Sequence, residues 1–266
     1  MLSQDEVQSA ADAVLDAEET RSQIGLLSLR HPDMTLDDAY AVQTAQIGRK
    51  LAAGRKIIGW KIGLTSKVMQ QALGIDTPDS GVLYDDMVFE TGNTIPAGRF
   101  IQPRIEAEIA FVMKAPLDGD VTRAEVLAAT DYVAPSLEIL DTRILRQDPQ
   151  TGQTRRIVDT VSDNAANAGI VLGREHHAPK AFDLRWTGAI LRRNGAVEAT
   201  GLGAAVLDDP VTGLVWLARR MSQYGQRIEA GQVVLSGSFI APIECPPGTG
   251  IEADFGPFGS VAVNFT

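Results

Sequence analysis

The sequence predicts an α+β protein with a strand-rich core, and three observations carry that prediction. Residues 3 to about 54 of 266 read as helical, and only two isolated helices are expected after them. From Ile57 onward, short apolar runs are punctuated by glycine and proline corners. Those runs do not alternate with helices, so a regular βαβ series is not expected. A chain of this length makes one large domain or two small ones. A soft boundary near residue 56 separates an N-terminal helical region (1–56) from a strand-rich region (57–266).

The elements follow in order. Ser3 and Glu6 form a capping-box pattern, and Val7, Ala11, Val14 and Leu15 continue at helical spacing. A second helix starts at Thr35, carries Leu36, Tyr40, Ile47 and Leu51 on one side, and meets Gly54 at its end. Residues 104–113 are apolar at every odd position from Ile105 to Met113, the period of a half-buried strand. Thr122 and Glu125 open a short helix. Arg192-Arg193-Asn194-Gly195 lies between apolar runs, and Asn-Gly accepts positive φ at both turn positions of a hairpin. Asp209-Pro210 opens a helix with Val211, Leu214, Val215, Ala218 and Met221 along one stripe, and Gly225 follows its end. From Gly231 to Val263 strands alternate with Gly/Pro corners, without repeats or low-complexity tracts.

Composition narrows the function. Hydrophobic content of 44% with 22% charged residues is that of a soluble globular chain. A net charge of −10 argues against nucleic acid or an anionic membrane as partner, because both attract basic surfaces. An anionic substrate would then need a local cation to reverse the sign. Cys245, the single cysteine, excludes an internal disulfide, fits a reducing compartment and reads as structural between Glu244 and Pro246. The N-terminus lacks the basic and apolar regions of a signal peptide, and no apolar stretch reaches the ~20 residues of a membrane span. The expected location is the cytoplasm.

Glu106 and Glu108 project from the polar face of the 104–113 strand, about 7 Å apart along the backbone. Like charges that close repel unless a cation or a proton sits between them. Glu138 is a lone carboxylate in the apolar run Val133–Leu140, where a charge is rarely buried without a partner. Three carboxylates from two strands make an oxygen-rich pocket suited to a hard divalent cation, Mg²⁺ or Mn²⁺ rather than Zn²⁺. The alternative is a solvated face on which Arg104 pairs with Glu106. Lys61, between Trp60 and Ile62, lies in a run that reads as partly buried; a surface lysine covering apolar neighbours fits the same pattern. Asp79, after Pro78, is a candidate acid or base or an ordinary turn residue. A polar loop, 148–156, runs on to Asp159–Asn164 at what reads as a strand-to-turn junction. Its Arg155 and Arg156 could grip a carboxylate in bidentate fashion, and Ser162 offers a short hydroxyl. On the residues alone that loop reads as solvated. There is no GxxxxGK[ST], HExxH, zinc-type Cys/His spacing or GxSxG, and three histidines leave few candidates for a His-dependent nucleophile.

Gly59–Ser66, Pro78–Leu83, Pro103–Glu108, Leu137-Glu138 and Asp159–Asn164, in this order, resemble the fumarylacetoacetate hydrolase superfamily. The resemblance is strongest to its branch of 2-oxo-alkenoate hydratases and decarboxylases of aromatic meta-cleavage pathways, and runs from about residue 35 to the C-terminus. Residues 148–156 are similar to a loop of 2-oxohept-4-ene-1,7-dioate hydratases, and a second substrate carboxylate would account for the arginines. The resemblance implies a mixed β-roll catalytic domain over 57–266, one Mg²⁺ or Mn²⁺, and a cytoplasmic homo-oligomer able to associate with a related pathway enzyme. It implies Glu106, Glu108 and Glu138 as metal ligands and Lys61 with Asp79 as the catalytic pair. It further implies substrate contacts from Lys61, Ser162, Arg155 and Arg156. The implied reaction is addition of water to a 2-hydroxy-2,4-dienoate by a hydro-lyase. The alternatives are a 4-oxalocrotonate-type decarboxylase and a non-catalytic partner subunit. Trp60 and Ser80 depart from residues common in relatives, and the His/Glu dyad of the hydrolase branch has no counterpart.

Overall fold

The computed structural model describes residues 1–67, 70, 71, 75 and 77–266. Three helices come first: α1 (Gln4–Thr20), α2 (Leu27–Arg30) and α3 (Leu36–Ala52). Reciprocal caps start the long ones, Ser3 with Glu6 on α1 and Thr35 with Asp38 on α3. Strand β1 (Ile57–Gly63) begins where the apolar period changes. The helices do not pack only among themselves. Ala11, Val14, Leu27 and Val42 share a core with Ile144, Val158 and Val161, the last two from helix α5 (Ile157–Ser162).

An eight-stranded sheet runs in the order β2 (Asp79–Tyr84), β1, β10 (Val233–Leu235), β5 (Arg104–Met113), β6 (Thr130–Leu140), β7 (Asn167–Leu172) and β3 (Val88–Glu90). Its eighth strand, β11 (Ile243–Glu244), also pairs with β5. A five-stranded sheet runs β4 (Thr94–Ile95), β13 (Ser260–Phe265), β12 (Thr249–Asp254), β8 (Gly188–Arg193) and β9 (Ala196–Leu202). Pairs β1–β10, β3–β7 and β4–β13 are parallel among antiparallel neighbours, so both sheets are mixed. The largest core joins Ile62, Phe111, Leu137 and Trp60 of the first sheet to Leu191, Ile251 and Val263 of the second. Helices α4 (Arg123–Ala129) and α6 (Pro210–Ser222) begin at the expected caps, Thr122 and Asp209. Asn194 and Gly195 turn the β8–β9 hairpin with φ of 52° and 83°. The architecture is the α+β arrangement expected from the sequence.

Two local expectations are corrected. Strand β5 is not half-buried. It lies between β10 and β6, and its polar face is covered too, so Glu108 and Ala110 are as inaccessible as Ile109 and Phe111. The Asp159–Asn164 segment is a helix end, not a strand end. Asp159 accepts from Arg156 N (2.8 Å) and from Ser28 N and Oγ (2.8 and 2.7 Å), which nucleates α5. Asn164, Ala165 and Ala166 then turn with φ of 49°, 51° and 59° into β7. Cys245 is buried as expected, and burial pushes its thiol up to about 12. Among the described residues, no helix is long and apolar enough to cross a membrane.

Candidate metal centre and active site

Register brings the acidic residues together. On β5 and β6, Glu106 stands directly opposite Glu138, and Glu108 opposite Ser136. Cross-strand neighbours share a face, as do residues two apart. The three carboxylates therefore converge, each offering an oxygen within 4.8 Å of the other two. The same rule carries Lys61 to this face. It pairs with Leu235 on β10, which pairs with Ala110, two residues beyond Glu108. Asp79 pairs with Gly63, two residues beyond Lys61. Five charged side chains from four strands thus leave one face of one sheet. Trp60 alternates to the opposite face, where Nε1 donates to Gln232 Oε1 (3.0 Å).

The partners are few. Lys61 Nζ lies 3.5 Å from Glu138 Oε1. Asn167 Nδ2 donates to that same oxygen at 2.9 Å, and Gly237 N donates to Glu108 Oε2 at 2.7 Å. Glu108 Oε1, Glu138 Oε2 and Asp79 Oδ1 are buried and accept no hydrogen bond. A Cβ on Gly63 would lie 2.2 Å from Asp79 Oδ1 and 2.8 Å from Lys61 Nζ, so only glycine leaves this space to the pair.

Electrostatics follows from burial. Burial, with Glu138 adding repulsion, pushes Glu106 up to about 8. Burial raises Glu108 likewise, and Glu138 too, against the pull of Lys61. Asp79 is raised by burial, with Lys61 and Arg155 opposing. Burial would lower Lys61, but Glu138 and Asp79 outweigh it and its pKa rises. Four carboxylates and one ammonium leave this face with excess negative charge. A hard divalent cation fits the all-oxygen donor set of Glu106, Glu108 and Glu138, and it would engage the two glutamate oxygens that no hydrogen bond serves.

The cluster opens onto a cavity of about 560 Å³. Lys61, Asp79 and Glu106 lie at its charged end, and Leu140, Phe239, Ile240 and Pro242 line its apolar side. Thr160, Ala165 and Ala166 come from the segment that begins with Asp159. Ser162 is not a wall residue; its hydroxyl is buried without a partner. Arg155 Nη2 is shared between Asp159 O and Asp163 Oδ2, both at 3.2 Å, while Nε has no acceptor. Arg156 is exposed and donates to Pro32 O (3.1 Å), so it is not brought to the cavity. Asn167 and Gly237 complete the cluster and were not anticipated. Asn167 carried a signal, an amide at the head of the apolar run 168–172. Gly237 acts through a backbone N–H, which leaves no mark in a sequence.

No family model matches the chain. It is 48% identical to a 2-oxo-hept-4-ene-1,7-dioate hydratase of Escherichia coli, over 94% of each protein. It superposes on a 4-oxalocrotonate decarboxylase from Pseudomonas putida G7, complexed with magnesium and adipate, with a TM-score of 0.94 and 34% identity over 100% of this chain and 99% of that one. A fumarylacetoacetate hydrolase from Exiguobacterium antarcticum shares the fold at a TM-score of 0.60 and 17% identity, over 79% and 75% of the two chains. The buried three-glutamate set on a mixed sheet and these likenesses agree, and the chain belongs to the 2-oxo-alkenoate hydratase and decarboxylase branch of the fumarylacetoacetate hydrolase superfamily.

Proposed function

We propose that this protein is a Mg²⁺- or Mn²⁺-dependent hydro-lyase that hydrates 2-hydroxyhepta-2,4-diene-1,7-dioate, the enol form of 2-oxohept-4-ene-1,7-dioate, to a 4-hydroxy-2-oxo acid in aromatic catabolism. The observation that carries the reading is the convergence of Glu106, Glu108, Glu138, Lys61 and Asp79 on one face at the end of a half-open cavity. The 48% identity to a hydratase named for this substrate supports the chain length.

Glu106, Glu108 and Glu138 would hold a divalent cation that, when bound, would supply Lewis-acid polarisation at the substrate's 2-oxygen. Lys61, kept charged by Glu138 and Asp79, sets a second positive group beside the developing enolate. Asp79 carries the proton, because burial lifts its pKa toward the range in which an acid both takes and gives one. The enol O–H proton leaves, a proton is delivered to C5, and the conjugated 2-oxo-3-enoate forms. Water then adds, oxygen to C4 and hydrogen to C3. Gly63 keeps Asp79 and Lys61 close enough to act on one molecule. Arg155, with a buried Nε free of acceptors and a field that reaches Asp79, is the cation we assign to the second carboxylate; neither it nor Ser162, on α5, is among the residues that line the cavity. Arg156 acts only through the loop.

A decarboxylase remains the second reading, favoured by the fold match to the adipate-bound decarboxylase. The intact carboxylate set argues against a non-catalytic subunit. The same reading places the enzyme in the cytoplasm as a homo-oligomer. The exposed Trp186, Ile190 and Leu202, gathered around an open cleft on β8 and β9, support a covered surface there. EDTA-treated protein incubated with the dienoate, with and without Mg²⁺, decides the reaction. We expect a product heavier by one water only when metal is present. Released CO₂ from a 2-oxo-enedioate, with no hydrated product, would replace the hydratase assignment by the decarboxylase. For Asp79→Asn we expect kcat to fall about 10²–10⁴-fold with less change in KM. An unchanged kcat removes Asp79 from the mechanism.

A further inference from the structure

A second site lies away from the catalytic cavity, where the end of α1 meets the 86–100 segment and the start of the 141–143 loop. Its cleft is lined by Arg21, Arg55, Arg99 and Arg143 against Glu18, Asp86 and Asp141. On a chain of net charge −10, four guanidiniums in one cleft are unexpected. Each carboxylate is already engaged. Glu18 takes Lys50 Nζ at 2.7 and 2.9 Å. Asp86 takes Arg55. Asp141 accepts the backbone N–H groups of Ile101, Gln102 and Thr142 at 2.8 to 3.0 Å. Arg143 is consumed by Asp163, with Nε 2.5 Å from Oδ1.

Arg21 and Arg99 are left over. Among the described residues neither is ion-paired to a carboxylate. Arg21 Nε donates to Gly98 O (3.1 Å), which holds its guanidinium beside the next residue, Arg99. Arg99 Nη2 donates to Asp86 O at 3.4 Å, and its guanidinium lies over the Phe100 ring, 5.5 Å from the centroid, so neither contact supplies an anion. Burial and the neighbouring Arg21 both push the Arg99 pKa down. Two guanidiniums do not share a half-enclosed cleft at no cost; an anion between them removes the repulsion. The space fixes its size. The cavity is about 20 Å³, room for one water-sized or halide-sized particle and too small for phosphate.

We propose that the cleft between Arg21 and Arg99 binds one halide-sized monovalent anion, chloride in the cell, that ties the end of α1 to the 86–100 segment. The site is tested on the full chain without substrate. Thermal unfolding is followed in sodium chloride and in sodium gluconate at matched ionic strength, since screening alone acts equally in both. The expected result is a saturable rise in Tm of about 2–4 °C in chloride over gluconate. The gain should be absent from Arg99→Met and Arg21→Met. A second measurement does not depend on how the variants fold. Crystals of the wild type grown in sodium bromide should show anomalous scattering between the two guanidiniums. Equal Tm in chloride and gluconate, a full gain in Arg99→Met, or no bromide signal at that position would each overturn the site. A gain with phosphate but not chloride would overturn the size argument and with it this proposal.

Discussion

The protein buries two clusters of charge, and they differ in whether each charge meets its complement. Around Asp163, each charge faces its opposite, although Arg155 Nε has no acceptor. Arg143 binds its Oδ1 through Nε and its backbone carbonyl through Nη2 at 2.5 Å, and Arg143 N, Ile144 N and Arg155 share Oδ2. Around Glu138 the reverse holds. Four carboxylates face one ammonium, and three carboxylate oxygens have no donor. The first cluster gains its stability during folding, as a buried carboxylate paired with two guanidiniums. The second stores repulsion that folding alone does not relieve, which is the mark of a site completed by something that binds.

The largest expected effects separate the two clusters by kind. Glu106→Gln should lower kcat/KM by roughly a thousandfold, about 4 kcal/mol of transition-state stabilisation, and abolish the metal requirement with the activity. The protein should still fold, because the change removes a charge that burial disfavours. Wild-type turnover in this variant without added metal would end the assignment of Glu106 as a ligand. Arg143→Ala should do the opposite. Stripping the partner from buried Asp163 should cost about 3–5 kcal/mol of unfolding free energy by urea titration. A loss below about 1 kcal/mol would mean that Asp163 is solvated or protonated, and the contrast between the clusters would fail.

A smaller effect is expected at the boundary between them. Asn167 takes Arg143 Nη1 on its carbonyl (3.2 Å) and gives Nδ2 to Glu138 (2.9 Å), so one residue belongs to both clusters. Asn167→Ala should weaken Mg²⁺ affinity about 10–100-fold by calorimetry, because an unheld carboxylate must be ordered on binding. Unchanged affinity would show that Glu138 is positioned by β6 alone.

How much of this was legible in the sequence depended on whether the cause was local. The period of two along 104–113 placed Glu106 and Glu108 on one face, and the isolated charge in 133–140 marked Glu138. That Glu106 would stand opposite Glu138 was not legible, since register is set by pairing between strands about thirty residues apart. The family resemblance, not the residue pattern, joined Lys61 to Asp79; the structure supplies the reason, β1–β2 pairing across Gly63. Period also misled. It described β5 as half-buried, because a polar face turned to a recessed cavity has the same alternation as one turned to open water. Arginines near a polar loop suggested two substrate contacts, yet Arg156 is spent on Pro32 O, a partner 124 positions away that no local pattern encodes.

The smallest effect is the most diagnostic, because it needs no substrate. Glu106 holds its proton to about 8 in the folded chain, against an ordinary value of 4.5 for an unfolded glutamate. Glu108 and Glu138 are shifted in the same direction. A folded state that binds a proton more tightly than the unfolded one is favoured at low pH. This contribution is complete below about pH 4.5 and is lost as pH rises through 8. The raised pKa of Lys61 acts only above 10.5, outside this window. Metal-free protein should therefore lose Tm between pH 5 and 8 by a few degrees more than Glu106→Gln does. Added Mg²⁺ should restore more at pH 8 than at pH 5, since the cation takes the place of the protons. A Mg²⁺ gain that is flat across this range would mean that the three carboxylates are already ionised without metal, and that their closeness stores no repulsion for a ligand to relieve.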